Sequence, residues 1–283
     1  MKREKLLKVG YVRGKIKHLI IPYMTYLVLD MLLVRKTLSV HDWIYALWGG
    51  RAVMGVYWYI TCFIFAVFML TILLKKFSDK MVKGLILAGG GIAILESHLV
   101  ERVRVLQSPG IPWNLDVALM ALVYVGIGFF YKTKIKELLE SKSKKYDLVA
   151  GILAVLLVIF CWLIYKGGNR LYYFDMKPVY YKELVSAILI PCAFGIVLIR
   201  MVHWMEKAKY LELLNRFLIL CGRATIPIMF MHIPLNHWKD TIGYGRCIYV
   251  LTGVVVPIVF VVLLHKNRVM RELLGVPILR KEK

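Results

Sequence analysis

Eight stretches of mostly apolar residues recur along the chain and limit what it can become. A helix rises about 1.5 Å per residue, so roughly 20 apolar residues cross the hydrocarbon layer of a bilayer. The stretches are Leu19 to about Val34, Val56–Leu74, Gly84 to about Ser97, Trp113–Tyr131, Asp147–Tyr165, Leu184–Trp204, Phe217–Trp238 and Cys247–His265. The third is short and contains Gly89-Gly90-Gly91, a run that weakens a water-exposed helix but permits close helix contact within a bundle. Asp147–Tyr165 is apolar throughout and expected to face lipid over much of its surface. The fold expected is an all-α membrane protein, a polytopic bundle of about eight transmembrane helices, forming one domain over residues 1–283. With 60% hydrophobic residues in 283, the composition agrees, since a soluble domain of this length carries fewer long apolar runs.

Charge sets the orientation. Lys and Arg number 39 against 17 Asp and Glu. A nucleic-acid partner would need a basic face on a soluble fold, so none is expected; the surplus belongs in loops that hold topology. Segments 1–18, 75–83, 132–146, 205–216 and 266–283 hold 26 of the basic residues, and segments 35–55, 97–112, 166–183 and 235–246 hold 11. This bias predicts eight spans with both termini in the cytoplasm. The first apolar run starts too late for a cleavable signal peptide and reads as a span. The five cysteines are scattered without CxxC or Cys/His spacing, so no metal site is expected.

Four stretches, in this order, resemble the acyltransferase-3 family of bacterial integral membrane O-acyltransferases. They are RGKIKHLIIPYMTY (Arg13–Tyr26), GVYWYITCFIFA (Gly55–Ala66), PWNLDVALMALVYVGIGFFYK (Pro112–Lys132) and IPIMFMHIPLN (Ile226–Asn236). The resemblance implies transfer of an acetyl or other short acyl group from acyl-CoA to a hydroxyl of a cell-surface polysaccharide or its lipid-linked precursor. It implies a multi-pass protein of the bacterial inner membrane, with acyl-CoA as co-substrate, no bound cofactor, and membrane lipids and a glycan as partners. Family members usually have about two further spans before the basic IPY segment, the first carrying a histidine thought to act in acyl transfer, and no residue here inherits that role. Three readings arise from that departure: a truncated or mis-started frame, a partner subunit or second copy that supplies helices, or a member that has lost activity. The rival to an enzyme is a transporter or export component, with the same polar residues lining a passage.

Candidate site residues emerge as polar groups in apolar surroundings. An ionisable side chain at bilayer depth costs at least ~2.5 kcal/mol and normally faces a bundle interior or a wet cavity. His232 is the candidate catalytic base, able to take a proton from a sugar hydroxyl. Asn236, one helical turn on, would orient the ring or the sugar. Arg223 offers a fork of donors to donor phosphates or an oxyanion. On an unkinked helix it lies on the face opposite His232 and ~13.5 Å away, unless Pro227 bends the helix. Arg13, Lys15 and Lys17 match the family's basic run and would meet the anionic donor or lipid headgroups. Asp116, at the start of a span, would hold a sugar hydroxyl, orient a base or pair with Arg102 or Arg104. Trp58, with Tyr57 and Tyr59, would stack on a sugar ring or sit in an interfacial belt, and Glu96, His98 and Glu101 cluster near one outer end. The aromatic loop Leu171–Tyr181 suits a sugar acceptor.

Overall fold

The computed structural model describes residues 9–49, 55–100, 102–107, 110–167, 172–181, 183–242 and 245–279. Its helices are α1 (Val9–Leu29), α2 (Val40–Trp48), α3 (Tyr57–Lys76), α4 (Asp79–Val100), α5 (Leu115–Phe130), α6 (Lys132–Glu140) and α7 (Lys144–Gly167). A two-rung antiparallel hairpin comes next, β1 (Phe174–Asp175) and β2 (Tyr180–Tyr181), pairing Phe174 with Tyr181. Then come α8 (Leu184–Lys207), α9 (Glu212–Arg223), α10 (Thr225–Ile242), α11 (Arg246–Leu264) and α12 (Arg268–Leu274). Among the described residues, seven helices are long and apolar enough to cross a membrane, and α9 with the start of α10 makes an eighth if that bent pair counts as one span. The described part of the chain is therefore a helical bundle suited to a membrane.

Two apolar cores share α3. The first is built by α3, α4 and α5 with the hairpin and the start of α8; Leu70, Leu74, Val82, Ala93, Val117 and Met120 are at its centre. Small residues let these helices approach, because a backbone without bulk admits its neighbour's side chains. A Cβ on Gly90 would lie 2.9 Å from Leu184 Cδ1 and 3.0 Å from Val123 Cγ2, whereas one on Gly91 meets nothing within 4 Å. Thus Gly90 serves helix contact and its neighbour Gly91 does not.

The second core joins α1, the start of α3, α10, α11 and the segment after α12, around Tyr26, Tyr57 and Phe230. Here α12 and residues 275–279 form a docked element where the sequence suggested only a basic tail. Asn267 caps the helix by accepting from the Val269 and Met270 amides, and Gly275 closes it at φ +64°. A Cβ on Gly275 would come within 2.8 Å of Ile226 Cγ2 and 3.1 Å of Pro22 Cγ, so the turn is wedged between α10 and α1.

Pro22 is near the start of the first apolar run but inside α1, thirteen residues past its first described residue, and not at a helix start. Two further expectations change. The basic stretch after α5 is a helix, α6, because Ile135, Leu138 and Leu139 fall on one face at helical spacing, with Leu138 buried. The segment after α1, expected to be a loop, contains α2, which Gly49 ends in a left-handed turn at φ 67°. By contrast α7 has only Ala150 and Leu157 buried, as a helix facing lipid should.

Replacing Gly90 by Leu should cost roughly 1–3 kcal/mol by overpacking. Gly91→Leu should stay close to the parent. Thermal unfolding of the two variants in detergent checks the difference.

Candidate functional site

The stretch that held His232 and Arg223 is not one straight span. Helices α9 and α10 meet at 73° across Ala224. The local cause is Pro227: in a continuous helix its ring would clash with the carbonyl four residues back, at Arg223. In the first turn of a new helix the missing amide hydrogen costs nothing, since those donors have no partner there anyway. The opposite-face geometry expected for an unkinked helix therefore does not apply. Arg223 ends α9 on the exposed surface, and His232 sits about two turns into α10.

His232 is half-buried. Its Nδ1 lies 3.0 Å from Ile228 O, a carbonyl that can only accept, so Nδ1 carries the proton and Nε2 is the basic nitrogen. Tyr249 Oη donates to His232 O at 3.2 Å, and a Cβ on Gly253 would lie 3.6 Å from His232 Cβ. The residue thus sits against α11. Phe230, two positions earlier and about 200° away around the helix, faces α1 and α3 instead. The side chains of Asn236, Arg13 and Lys15 lie outside the described residues, as do Arg104's side chain and Glu101; Lys17 is exposed on α1.

Asp116 and Trp58 belong to a different place, at the far end of α5 from α6. Asp116 is 4% exposed in the first turn of α5, where its Oδ1 accepts from the Val117 amide at 2.8 Å. A carboxylate there meets the positive end of the helix. Arg102, its suggested partner, is exposed. Just before it, Asn114 donates from Nδ2 to Gly49 O at 2.7 Å and to Thr61 Oγ1 at 3.1 Å. Thr61 in turn donates to Trp58 O, and Trp113 donates from Nε1 to Leu47 O at 2.7 Å. These bonds tie α2, α3 and α5 together, with Trp113 and Asn114 both in left-handed conformations. Trp58 is half-buried on the first core and meets Tyr59 edge-on at 6.1 Å. Tyr57, offered for sugar stacking or an interfacial belt, does neither. It is 2% exposed and donates to Tyr26 O at 3.0 Å.

The aromatic loop closes into the hairpin, which Ser97 fastens by accepting from Tyr181 N and donating to Tyr181 O, each at 2.8 Å. Burial pushes the Tyr172 phenol above its ordinary pKa. Tyr173 and Tyr180 stand across the hairpin with centroids 5.7 Å apart. Glu96 is half-buried and His98 exposed beneath it.

Three buried polar residues escaped the sequence reading. Asp30, 5% exposed, starts the π-helical turn Asp30–Val34 that prolongs α1, and Arg35 Nε reaches its Oδ2 at 3.2 Å. It stood in the first apolar run as an acid among aliphatics, a visible signal. Arg200 is fully buried in α8. Its Nη1 donates to Leu138 O at 2.7 Å and Ser141 O at 2.9 Å, capping α6, while Nη2 pairs with Asp147. Trp204 Nε1 also donates to Asp147, at 3.0 Å. One turn along α8, His203 is 5% exposed, and its Nε2 and Arg200 Nε have no hydrogen-bond partner among the described residues.

The arrangement therefore gives a proton acceptor at His232 and, elsewhere in the bundle, polar clusters around Asp116 and Arg200. Comparison with protein-family models, with curated proteins and with solved structures gives no match to this chain.

Asp147→Ala should lower stability, because it leaves a buried guanidinium without its counter-charge. Converting the pair together, Arg200→Met with Asp147→Leu, should cost less than Asp147→Ala alone. Unfolding of the single variant and the double variant in detergent measures both.

Proposed function

We propose that the chain is a membrane O-acyltransferase of the acyltransferase-3 type. It moves an acetyl or other short acyl group from acyl-CoA to a hydroxyl of a cell-surface polysaccharide or its lipid-linked precursor, as a multi-pass protein of a bacterial inner membrane with its basic end in the cytoplasm. The observation that carries this reading is convergence. Tyr26, from the first stretch resembling the family, stacks on Phe230, from the fourth, at 4.8 Å; Tyr57, from the second, meets the same ring at 5.0 Å. The third stretch forms α5, which packs along α3 in the first core. Three of the four stretches that resemble the family thus meet at one ring, and the remaining one packs along α3, which both cores share.

In the reaction, the acceptor oxygen attacks the thioester carbonyl, the new C–O bond forms and the C–S bond breaks. His232 Nε2 takes the hydroxyl proton and returns it to the leaving thiolate. The Nδ1–H bond to Ile228 O fixes the tautomer that this role needs. Arg223, at the bend, and Lys17, with Arg13 and Lys15, meet the polyanionic donor by charge. Asn236, one turn beyond His232, is assigned to the acceptor; Asp116 and Trp58, in the separate cluster at the start of α5, would meet only a part of it remote from the reacting hydroxyl.

A second reading, an export component, is favoured by the break between α9 and α10, since discontinuous helices build many transporter sites. The two separate cleanly. Purified protein in nanodiscs, given labelled acetyl-CoA and a cell-envelope glycan, should release free thiol and label the glycan. His232→Ala should lower kcat about 100-fold or more with little change in donor KM. Flux of glycan into vesicles without acyl-CoA, insensitive to His232, would instead establish the export reading. Neither activity in the intact protein would overturn both.

A further inference from the structure

Helix α8 meets α4 and α5 near its beginning and then leaves them. Leu184 fills the space beside Gly90, and Tyr124 Oη donates to Ala187 O. Farther on, Arg200 and Trp204 bind α8 to α6 and α7. Where α8 departs, a cleft of about 350 Å³ opens between the three helices, walled by Ile86, Leu87, Val123, Ile127 and Ile188. That volume falls within the ~300–1,000 Å³ of small-molecule sites. At its mouth is Lys83, exposed, with its ammonium 5.0 Å from the Phe130 ring centroid and 5.9 Å from that of Tyr131. Those rings are its described contacts, and among the described residues no carboxylate forms a salt bridge with it.

The surroundings say what kind of molecule fits. Residues 75–83 carry four lysines and one aspartate, and residues 132–146 carry six lysines and two glutamates. Of those acids, Glu137 accepts from Tyr146 and Glu140 pairs with Lys136, so part of the negative charge is already engaged. A cation over two aromatic faces marks a membrane–water boundary, where rings of this kind and snorkelling lysines settle. From Tyr131 back to Val123 the cleft runs ~12 Å along α5, from that boundary toward the bundle's middle. The cleft is greasy along its length and cationic only at the rim.

We infer that this cleft binds an anionic phospholipid of the leaflet at the basic end, with its phosphate on Lys83 and one acyl chain against Ile86, Leu87, Val123, Ile127 and Ile188. A zwitterionic lipid offers the same chain without the net charge. A free phosphate offers the charge without the chain. Both halves of the site are therefore required.

The test titrates purified full-length protein in neutral detergent with dioleoyl phosphatidylglycerol, dioleoyl phosphatidylcholine, glycerol phosphate or acetyl-CoA. Bound lipid is read by native mass spectrometry and stability by thermal unfolding. Phosphatidylglycerol should bind and raise Tm, and the other three should do so weakly or not at all. Lys83→Gln should weaken phosphatidylglycerol binding about fivefold, and Lys83→Arg should retain it. Leu87→Trp, at an exposed wall position, should block the chain while leaving the Tm of lipid-free protein unchanged. Equal binding of phosphatidylcholine, an equal effect of glycerol phosphate or acetyl-CoA, or full binding by Lys83→Gln or Leu87→Trp would each overturn the assignment.

Discussion

Phe230 is the point at which distant parts of the chain are forced into one structure. Its ring is 1% exposed and lies against Tyr26 and Tyr57, contributed by helices that begin more than 150 residues earlier. Between helices in lipid there is little hydrophobic force, because hydrocarbon tails are as apolar as the side chains. Association then depends on shape and on hydrogen bonds. The aromatic cluster provides both, since Tyr57 donates to the Tyr26 carbonyl and Tyr26 donates to Leu274 O. The first core uses another device, small residues that let backbones close up, as Gly90 does under Leu184. Helix α3 contributes to both, and without it the two halves would have little to hold them in register.

The polar residues obey the same constraint. A charge taken out of water needs a partner or bulk solvent. Arg200 is paired and bonded to two carbonyls, Asp116 uses the start of its own helix, and Arg223 stays at the surface where α9 ends. His232, able to stay neutral, is the one of this set that tolerates partial burial on a backbone carbonyl alone. A group that bonds through Nδ1 keeps its other nitrogen for chemistry. This is why it carries the proposed base and Arg200 does not.

Much of the architecture was legible because hydropathy is local. Apart from Phe217–Trp238, each long apolar run became one helix, and the lipid-facing character of α7 followed from its unbroken apolarity. What could not be read depended on partners far along the chain. Arg200 looked like a lone charge in a span until Asp147, 53 residues away, came to meet it. A bend before α10 was signalled by Pro227, but averaging over Phe217–Trp238 conceals that it divides the run into two helices at 73°. Helix α6 was passed over for its lysines, yet Ile135, Leu138 and Leu139 already spelled an apolar face. Of the candidate site, His232 and Asp116 were found by being polar in greasy surroundings. Their assignment to separate places required three dimensions.

The hydrogen bond from Tyr26 to Leu274 O crosses 248 positions of sequence. A ribosome releases α1 long before it releases α12, so the surface of α1 that will receive Leu274 and Val276 stays bare while most of the protein is being inserted. Lipid, or a chaperone acting within the bilayer, must occupy that surface in the meantime. Assembly of the second core thus waits until α12 has left the exit tunnel, long after α1 has entered the membrane.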